Sequence, residues 1–280
     1  MIIDAGGSMK KKNAISIFLI SLVAILFLLP LVYTVSTSLK PKTEVLQNTA
    51  SLFGSYLAFE NYVRAWNAFP FGRYLINSIV VGGLTTAITV LTSSMAAYAF
   101  ARLHFKGRDK LFFAYLATLM VPLQVTIIPL YMILRLLGWH NSYAALSIPP
   151  AFTAFGVFML RQFFLTIPVE LEEAAMIDGC GKSRIFWEII LPMSKPGLAA
   201  LAIFTFTSSW KSFFWPLIVT STDQFKTLPL GLYNFSGQYG TDWSALMAAT
   251  LISIIPGLIF YVIFQKSLVQ GISISGMGGR

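Results

Sequence analysis

The chain has 280 residues, of which 56% are hydrophobic and only 11% are charged, and its mean hydropathy is +0.72. A soluble domain carries about 25% charged residues, so this composition excludes an ordinary soluble protein and indicates contact with lipid. The net charge is +9, but the basic residues concentrate in particular loops, which indicates membrane topology rather than binding to nucleic acid. The single cysteine, Cys180, excludes an internal disulfide and a cysteine-based zinc site, and the two histidines lie too far apart in sequence to suggest a metal site.

Six apolar stretches follow a short leader. Residues 1–13 form this leader, in which Met9-Lys10-Lys11-Lys12 resembles a natural chain start. A helix needs about 20 mostly apolar residues to cross a bilayer. The stretches that approach this length are Ala14–Thr34, Tyr74–Phe100, Leu111–Leu137, Tyr143–Phe164, Leu198–Val219 and Ala245–Phe264. Prolines at 122, 129, 149, 150 and 256 predict bends or short unwound segments, which membrane helices tolerate.

The loops between these stretches differ in charge. Thirteen basic residues fall on one side of the predicted membrane and six on the other, with Lys211 inside the fifth stretch. The positive-inside rule then predicts that both termini lie in the cytoplasm. A cleaved signal peptide is the alternative interpretation of the first stretch, but its apolar run is long and no clear small-x-small cleavage site follows it.

Two longer segments, residues 39–73 and 220–244, fall on the predicted outer face and are rich in aromatic residues. One interpretation is a belt of aromatic side chains at the membrane interface. The other is a docking surface for an extracytoplasmic partner. The sequence leaves both open.

No aspartate or glutamate occurs in any of the six stretches. Ion-coupled transporters need buried ionisable groups, so a secondary transporter is disfavoured. A membrane enzyme is also disfavoured, because the sequence contains neither a zinc-binding HExxH helix nor a GxSxG nucleophile motif. Residues 179–183 resemble the end of a phosphate-binding loop, but the required first glycine is replaced by Met176, which argues against ATP binding by this chain.

The segment from residue 166 to residue 197, here called the elbow, predicts two short helices joined by a turn. Three glutamates at the start of the first helix favour the positive end of its dipole: Glu170, Glu172 and Glu173. Gly179 is suited to end that helix with a positive φ, and Ser183 is a candidate cap for the second. Leu191-Pro192 and Pro196 then redirect the chain toward the membrane. On these residues alone, the elbow could equally pack on its own helical bundle or bind another protein.

The spacing of the elbow resembles a family. Glu173-Ala174-Ala175, then Gly179, then Ile189-x-Leu191-Pro192 matches the EAA loop of bacterial ABC importer permeases. Further segments look like the carbohydrate-uptake branch of these permeases, and the resemblance covers roughly residues 14–272: Asn77-Ser78, residues 97–102, residues 128–131 and residues 210–217. Two features depart from the branch, Lys211 in place of a frequent asparagine and the tail from Gly271 to Arg280.

The resemblance implies an all-α membrane protein with six transmembrane helices, a cytoplasmic coupling elbow between helices 4 and 5, and both termini cytoplasmic. It implies a transmembrane domain over residues 14–272, a cytoplasmic tail over residues 273–280, and a location in the bacterial cell membrane. The implied function is that of a non-catalytic permease subunit of an ATP-driven importer for a sugar or oligosaccharide. A permease for a non-sugar solute shares the same elbow and is the nearest alternative.

The resemblance also implies partners and site residues. The partners are a homologous second permease, two cytoplasmic ATPases that bind the ATP and Mg²⁺, an extracytoplasmic solute-binding protein and membrane lipid; no cofactor is expected in this chain. The residues expected to couple to the ATPase are Glu173, Ala174, Ala175, Asp178, Gly179, Ile185 and Phe186. The candidates for the substrate path are Gln124, Tyr131, Trp210, Lys211, Phe214 and Trp215. Lys211 is expected to face this path or the partner permease, because a lysine within a span is costly elsewhere.

Overall fold

The computed structural model describes residues 5–47, 49, 51–237 and 240–277. These residues are mostly helical, and their α-helices are α1 Ala5–Ser38, α2 Glu60–Asn67, α3 Phe71–Arg102, α4 Arg108–Ala117, α5 Leu123–Leu136, α6 Tyr143–Ala151, α7 Ala154–Leu165, α8 Glu170–Ile177, α9 Lys182–Ile185, α10 Leu191–Met193, α11 Lys195–Trp210, α12 Phe214–Val219, α13 Leu228–Tyr233 and α14 Trp243–Met277. A small antiparallel ribbon, β1 Ser236–Gly237 with β2 Gly240–Thr241, is an exception to the predicted all-α fold.

Three continuous helical segments in the described part of the chain are long and apolar enough to cross a membrane: Ser16–Ser38, Phe71–Arg102 and Trp243–Ile263. Three further pairs of helices pass the same test together but are bent at a short break, by 101° for Arg108–Met120 with Leu123–Leu136, 47° for Tyr143–Ala151 with Ala154–Leu165, and 76° for Lys182–Met193 with Lys195–Trp210. The structure therefore contains up to six spans by length and composition, if each bent pair is one span.

The predicted stretches and the helices differ in their breaks. Pro122 lies in the break before α5, as predicted, because proline lacks the N–H that would continue the helix. Pro129 and Pro256 instead lie within α5 and α14, which continue through them, so the unwound segments considered there do not form. The predicted fifth stretch is interrupted after Trp210, where α11 ends, and resumes as α12 at Phe214.

The ends of the chain also differ from the predicted boundaries. Helix α1 begins at Ala5, so the described part of the predicted leader is helical, while residues 1–4 lie outside the described residues. Helix α14 continues to Met277 into the predicted tail, and residues 278–280 lie outside the described residues.

The chain divides into two compact units, of which the first comprises Met1–Phe69 and Asn234–Ile252. In it, the segment that follows α1 is held by Asn61, a fully buried side chain whose Nδ2 donates to the carbonyls of Ser38 at 2.7 Å and Lys40 at 2.8 Å. Asp242 forms ion pairs with Lys42 at 3.2 Å and with Arg64 at 3.4 Å. Burial raises the pKa of Asp242, but the amide of Ala245 and these two cations outweigh it and leave the pKa below its usual range.

The second unit comprises Pro70–Tyr233 and Ser253–Arg280 and is organised around α3. Helices α6, α7, α11 and α13 all pack against α3. Its buried face carries small and hydroxyl-bearing residues, among them Thr85, Thr89 and Ser93, which let neighbouring helices approach closely. Gly82 shows how close this packing is, since a Cβ placed there would lie 2.9 Å from the ring of Phe206 on α11.

Polar contacts hold the segment between α12 and α13 against the first turns of α3. Tyr74 donates its hydroxyl to Asp223 Oδ1 at 2.7 Å, and Asn77 Nδ2 donates to the carbonyls of Gln224 at 2.9 Å and Lys226 at 2.8 Å. The hydrogen bonds from Lys226 and Tyr74 hold the pKa of Asp223 below its ordinary value. Part of the predicted 220–244 segment is therefore held against α3 by hydrogen bonds.

Candidate functional site

The first half of the elbow is α8, which ends in a turn at Gly179. The amide of Gly179 donates to the Met176 carbonyl at 3.0 Å, and the amide of Cys180 donates to the Ala175 carbonyl at 2.9 Å. These two bonds define a Schellman motif, which requires a left-handed residue just after the helix. Gly179 has a φ of +83°, so the predicted glycine stop is confirmed. The resemblance of residues 179–183 to a phosphate loop is explained by this turn, which follows a helix rather than a strand.

The second half of the elbow is one irregular helical segment. Helix α9 continues into a π-helical turn over Phe186–Ile190 and then into α10, and the chain bends by 76° before α11. The residue that precedes α9 as its N-cap is Gly181, and no side chain caps it, so the predicted cap at Ser183 is wrong. The redirection near Leu191-Pro192 is confirmed, with the bend falling at Ser194.

The structure separates the predicted coupling residues into two groups. Glu173, Ala174, Asp178 and Gly179 are exposed along one side of α8 and its turn. Ala175, Ile185 and Phe186 are buried instead, in a core cluster that includes Leu160 and Phe164 of α7. The first group is available to another molecule, whereas the second attaches the elbow to its own bundle.

An exposed apolar surface adjoins the first group. Ile177 is 87% exposed, and its neighbour Met176 is also exposed. Apolar side chains grouped in this way at a helix end are typical of a contact surface. The sequence reasoning missed Ile177, although its spacing of three residues from Ala174 placed it on the same side of the helix.

Beneath the exposed surface lies an ion pair between Glu172 of α8 and Arg102 at the end of α3. Their Oε1 and Nε atoms are 2.7 Å apart, and the side chains are only 3% and 10% exposed. Arg102 Nη2 also donates to the carbonyls of Phe164 at 2.8 Å and Ile167 at 2.5 Å. The sequence reasoning treated Glu172 only as a helix-start residue, and Arg102 only as a topology signal and as part of the resemblance at residues 97–102, so it missed this pair.

A cavity of about 340 Å³ lies between α3, α6, α7, α11 and α12. Its walls combine hydroxyl groups with aromatic and aliphatic side chains, and its described lining contains no charged residue: Val81, Thr85, Leu146, Pro150, Thr153, Phe155, Phe204, Thr205, Ser208, Ser209, Ser212, Trp215 and Pro216. The breaks after α6 and α11 border it, since Thr153 and Ser212 lie at those breaks. Such walls offer hydrogen bonds and ring faces to an uncharged polar molecule.

The predicted path residues on α11 and α12 lie near this cavity to different degrees. Trp215 lines it and donates its Nε1–H to the Ala145 carbonyl at 3.0 Å. Trp210 points elsewhere, donating to the Ser253 carbonyl at 3.2 Å and stacking on Phe206. Phe214 is 55% exposed.

The remaining predicted path residues are Lys211, Gln124 and Tyr131. Lys211 is exposed at the end of α11, three residues after Ser208 and seven after Phe204, so helical spacing puts it on the side of α11 that those two cavity residues occupy. Gln124 and Tyr131 lie on α5, and the described cavity lining includes neither. Within the described residues, no group of three or more His, Cys, Asp or Glu side chains could hold a metal ion.

Comparison with known proteins shows similarity to a protein family. Residues 88–274 match the sequence model of a family described as binding-protein-dependent transport system inner membrane component. The probable ABC transporter permease protein YurM of Bacillus subtilis (strain 168) is 36% identical over 271 residues, which cover 96% of this chain and 89% of YurM. The arabinooligosaccharides transport system permease protein AraQ of Halalkalibacterium halodurans is 34% identical over 260 residues, which cover 92% of this chain and 93% of AraQ.

A solved structure shares the fold. A chain of a bacterial ABC transporter involved in the import of the acidic polysaccharide alginate superposes with a TM-score of 0.81. The superposition covers 95% of this chain and 99% of that chain at 23% sequence identity. The fold of this chain is therefore shared with a chain of that ABC transporter.

Proposed function

The chain belongs to the family of binding-protein-dependent transport system inner membrane components, and on that premise we propose that it is the permease subunit of an ATP-driven importer for a sugar or oligosaccharide. In this proposal it forms half of the translocation path and pairs with a homologous permease. Two ATPases supply the energy from the cytoplasm, and an extracytoplasmic binding protein delivers the solute. The chain itself performs no chemistry.

The observation that carries the proposal is the exposed side of α8. Glu173, Ala174 and Ile177 are presented to solvent at the end of the bundle, with Ala175 and Phe186 buried beneath. Small residues beside a large exposed apolar side chain allow the backbone of another protein to approach closely and bury apolar area. An ATPase that closes on ATP binding can push on such a surface, and alternating access of the spans would follow.

The residues that line the cavity favour a sugar as the solute. Thr85, Thr153, Ser208, Ser209 and Ser212 offer hydroxyl groups. Trp215 and the two phenylalanines of the lining offer ring faces. A polyhydroxylated molecule can exchange hydrogen bonds with water for bonds to hydroxyls, and its C–H faces can pack on rings. A relative at 34% identity, AraQ, is described as part of an arabinooligosaccharide transport system, which agrees with this choice.

The topology is part of the proposal. We take the first two bent pairs as one span each and Lys195–Trp210 of the third pair as another, which gives six spans with the three continuous ones and leaves Lys182–Met193 in the elbow. The basic loops then place the elbow and both termini in the cytoplasm of the bacterial cell, and residues 14–272 form the transmembrane domain with short flanking segments.

The test is transport by the assembled complex. We would purify the complex through a tag on this chain, place it in proteoliposomes, and supply the extracytoplasmic proteins released from the same cells. Uptake of labelled arabinotriose and maltotriose would be compared with uptake of inorganic phosphate. We expect ATP-dependent uptake of an oligosaccharide and ATPase subunits in the purified complex.

Two results would contradict the proposal. Uptake that continues without ATP but collapses with an ionophore would indicate a secondary transporter. ATP-dependent uptake of phosphate with no uptake of either sugar would support the non-sugar alternative.

A further inference from the structure

Two helices of the second unit end side by side at the elbow. Helix α3 ends at Arg102 and α7 ends at Leu165, and the last carbonyls of each helix lack partners within the helix. Arg102 of α3 donates to the carbonyls of Phe164 and Ile167 at the end of α7. Arg161 of α7 donates in return to the Phe100 carbonyl of α3 at 3.2 Å. Each helix thus supplies a guanidinium to the negative end of the other, which stabilises both termini.

Glu172 joins the elbow to this pair of helix ends. Its carboxylate meets Arg102 at 2.7 Å, and Tyr98 of α3 lies 3.4 Å from its second oxygen. Because Glu172 is 3% exposed, separation from Arg102 would leave a buried carboxylate without its charge partner, which is strongly unfavourable. The neighbouring Glu170 and Glu173 are exposed and carry no such constraint.

The second half of the elbow is attached to the same helix. The ring of Phe186 lies 5.2 Å from the ring of Tyr98, and both belong to the core cluster that contains Ile185 and Ile190. The elbow therefore contacts α3 on either side of the Gly179 turn, through an ion pair from α8 and through apolar packing from the π-helical segment.

Helix α3 in turn reaches the cavity. Thr85, which lines the cavity, lies 17 residues before Arg102 on an unbroken helix, or about 25 Å along its axis at 1.5 Å per residue. A displacement of α8 that also moves the end of α3 is thereby carried to the cavity wall by one helix.

We propose that Arg102 is a positioning residue that fixes α8 to the ends of α3 and α7, so that force applied to the exposed side of α8 moves the cavity-lining helices with it. This inference rests on the proposed function of the elbow. The apolar contacts of Phe186 and Ile185 hold the elbow in place, and the Arg102–Glu172 pair sets the position of α8 relative to the two helix ends.

The experiment measures the accessibility of the cavity to a labelling reagent in variants that change the Arg102–Glu172 ion pair. Cys180 is replaced by alanine, and a reporter cysteine is placed at Ser208, an exposed residue of the cavity lining. The complex co-purified through this chain is reconstituted in nanodiscs, and the rate of maleimide labelling is measured without nucleotide and with ADP and vanadate. ATP hydrolysis and the amount of bound ATPase are measured on the same samples.

The variants distinguish the loss of this ion pair from the loss of a charge elsewhere. Glu172→Gln removes the carboxylate of the pair. Asp109→Asn removes a carboxylate at the start of α4 that is 61% exposed, pairs with Arg108 at 3.0 Å and lies 4.0 Å from Arg161. Arg102→Lys keeps a cation but loses the planar fork that serves a carboxylate and two carbonyls together. Arg102→Met removes the cation altogether.

We expect nucleotide to change the labelling rate about tenfold in the parent and in Asp109→Asn, the ratio expected for a moderate shift between two conformations. In Glu172→Gln and Arg102→Met that ratio should fall below about twofold, with ATPase still bound and hydrolysing ATP, because the populations no longer follow the nucleotide. Arg102→Lys should give an intermediate ratio.

A Glu172→Gln ratio equal to that of Asp109→Asn would overturn the inference. If Glu172→Gln and Arg102→Met fail to accumulate in the membrane, the milder variants Arg102→Lys and Glu172→Asp provide the test. A labelling ratio equal to that of the parent in both of them would also overturn the inference. If the parent itself shows no response to nucleotide although ATPase is bound, the proposed function fails and not only the role of the Arg102–Glu172 pair.

Discussion

Lys211 is a cation within a stretch of apolar sequence. It lies at the end of α11, exposed, on the side of the helix that includes Phe204 and Ser208 of the cavity lining. The ion pairs found among the described residues do not involve it. A lysine in a span is costly unless it meets water or a partner, so its position beside the cavity favours a role in the path or at the second permease.

Replacement of Lys211 by methionine keeps an unbranched side chain one atom shorter and removes its charge. We predict that Lys211→Met lowers ATP-dependent uptake by about tenfold or more, because a hydrogen bond to a charged group contributes about 1.5–3 kcal/mol. Uptake and substrate-stimulated ATPase activity in proteoliposomes would measure this. Lys110→Met, on the exposed surface of α4, is the control that should leave both unchanged. Parental uptake and ATPase activity in Lys211→Met would remove Lys211 from the path and the permease interface.

Individual residues were predictable where the reason for them is local. Gly179 was predicted from its place after a helix, because a positive φ depends only on the turn itself. Arg102 and Glu172 were not predicted as a pair, because 70 residues separate them and nothing in either local sequence specifies that α3 and α8 meet. The burial of Ile185 and Phe186 was missed for the same reason: an apolar run is compatible with packing inside or with contact outside, and only the position of α7 decides.

The elbow is an element whose shape depends on one turn. Gly179 adopts a φ of +83°, and Gly181, two residues on, adopts a φ of −76°. An added Cβ would meet no heavy atom within 4 Å at either position. The two glycines therefore differ in backbone conformation and not in the space around them, which makes them a matched pair.

We predict that Gly179→Ala destabilises the elbow by about 1–2 kcal/mol, since a side chain in the left-handed region costs that much. Gly181→Ala should be close to neutral, because alanine accepts its backbone conformation and restricts the unfolded chain, whereas glycine is preferred over alanine at a helix N-cap. The thermal unfolding midpoint of the purified complex and the amount of co-purified ATPase would both be measured. Equal effects of the two substitutions would show that the turn conformation is not what matters.

The apolar stretches were predictable in approximate extent, but the breaks in them were not. Leu111–Leu137 is apolar on both sides of the 101° bend before α5, so hydrophobicity alone does not reveal the bend. The proline at 122 indicated that bend, whereas the prolines at 129 and 256 occupy continuous helices. A proline in a membrane helix can be accommodated by its neighbours, so its effect depends on packing that the local sequence does not contain.

At the scale of the second unit, the length of α3 can be compared with the thickness of a membrane. Gln224 is held at the first turns of α3 by Asn77, and Lys106 follows the last residue of that helix. From Asn77 to Arg102 the helix rises about 38 Å, which exceeds the hydrocarbon thickness of about 30 Å. If α3 crosses a bilayer, residues 224 and 106 lie on opposite sides of it.

Topology can be tested with this pair, because the chain has a single native cysteine and Cys180→Ala provides an empty background. We predict that an impermeant maleimide labels Lys106→Cys only in inverted vesicles and Gln224→Cys only in intact cells with a permeable outer layer. Both side chains are exposed, so access depends on the side of the membrane rather than on burial. The positive-inside rule assigns Lys106 to the cytoplasm, where the elbow at the same end of α3 would meet its ATPase. The reverse labelling pattern would place the elbow outside the cell and exclude its coupling to a cytoplasmic ATPase, whereas labelling of both residues from one side would show that α3 does not span the membrane.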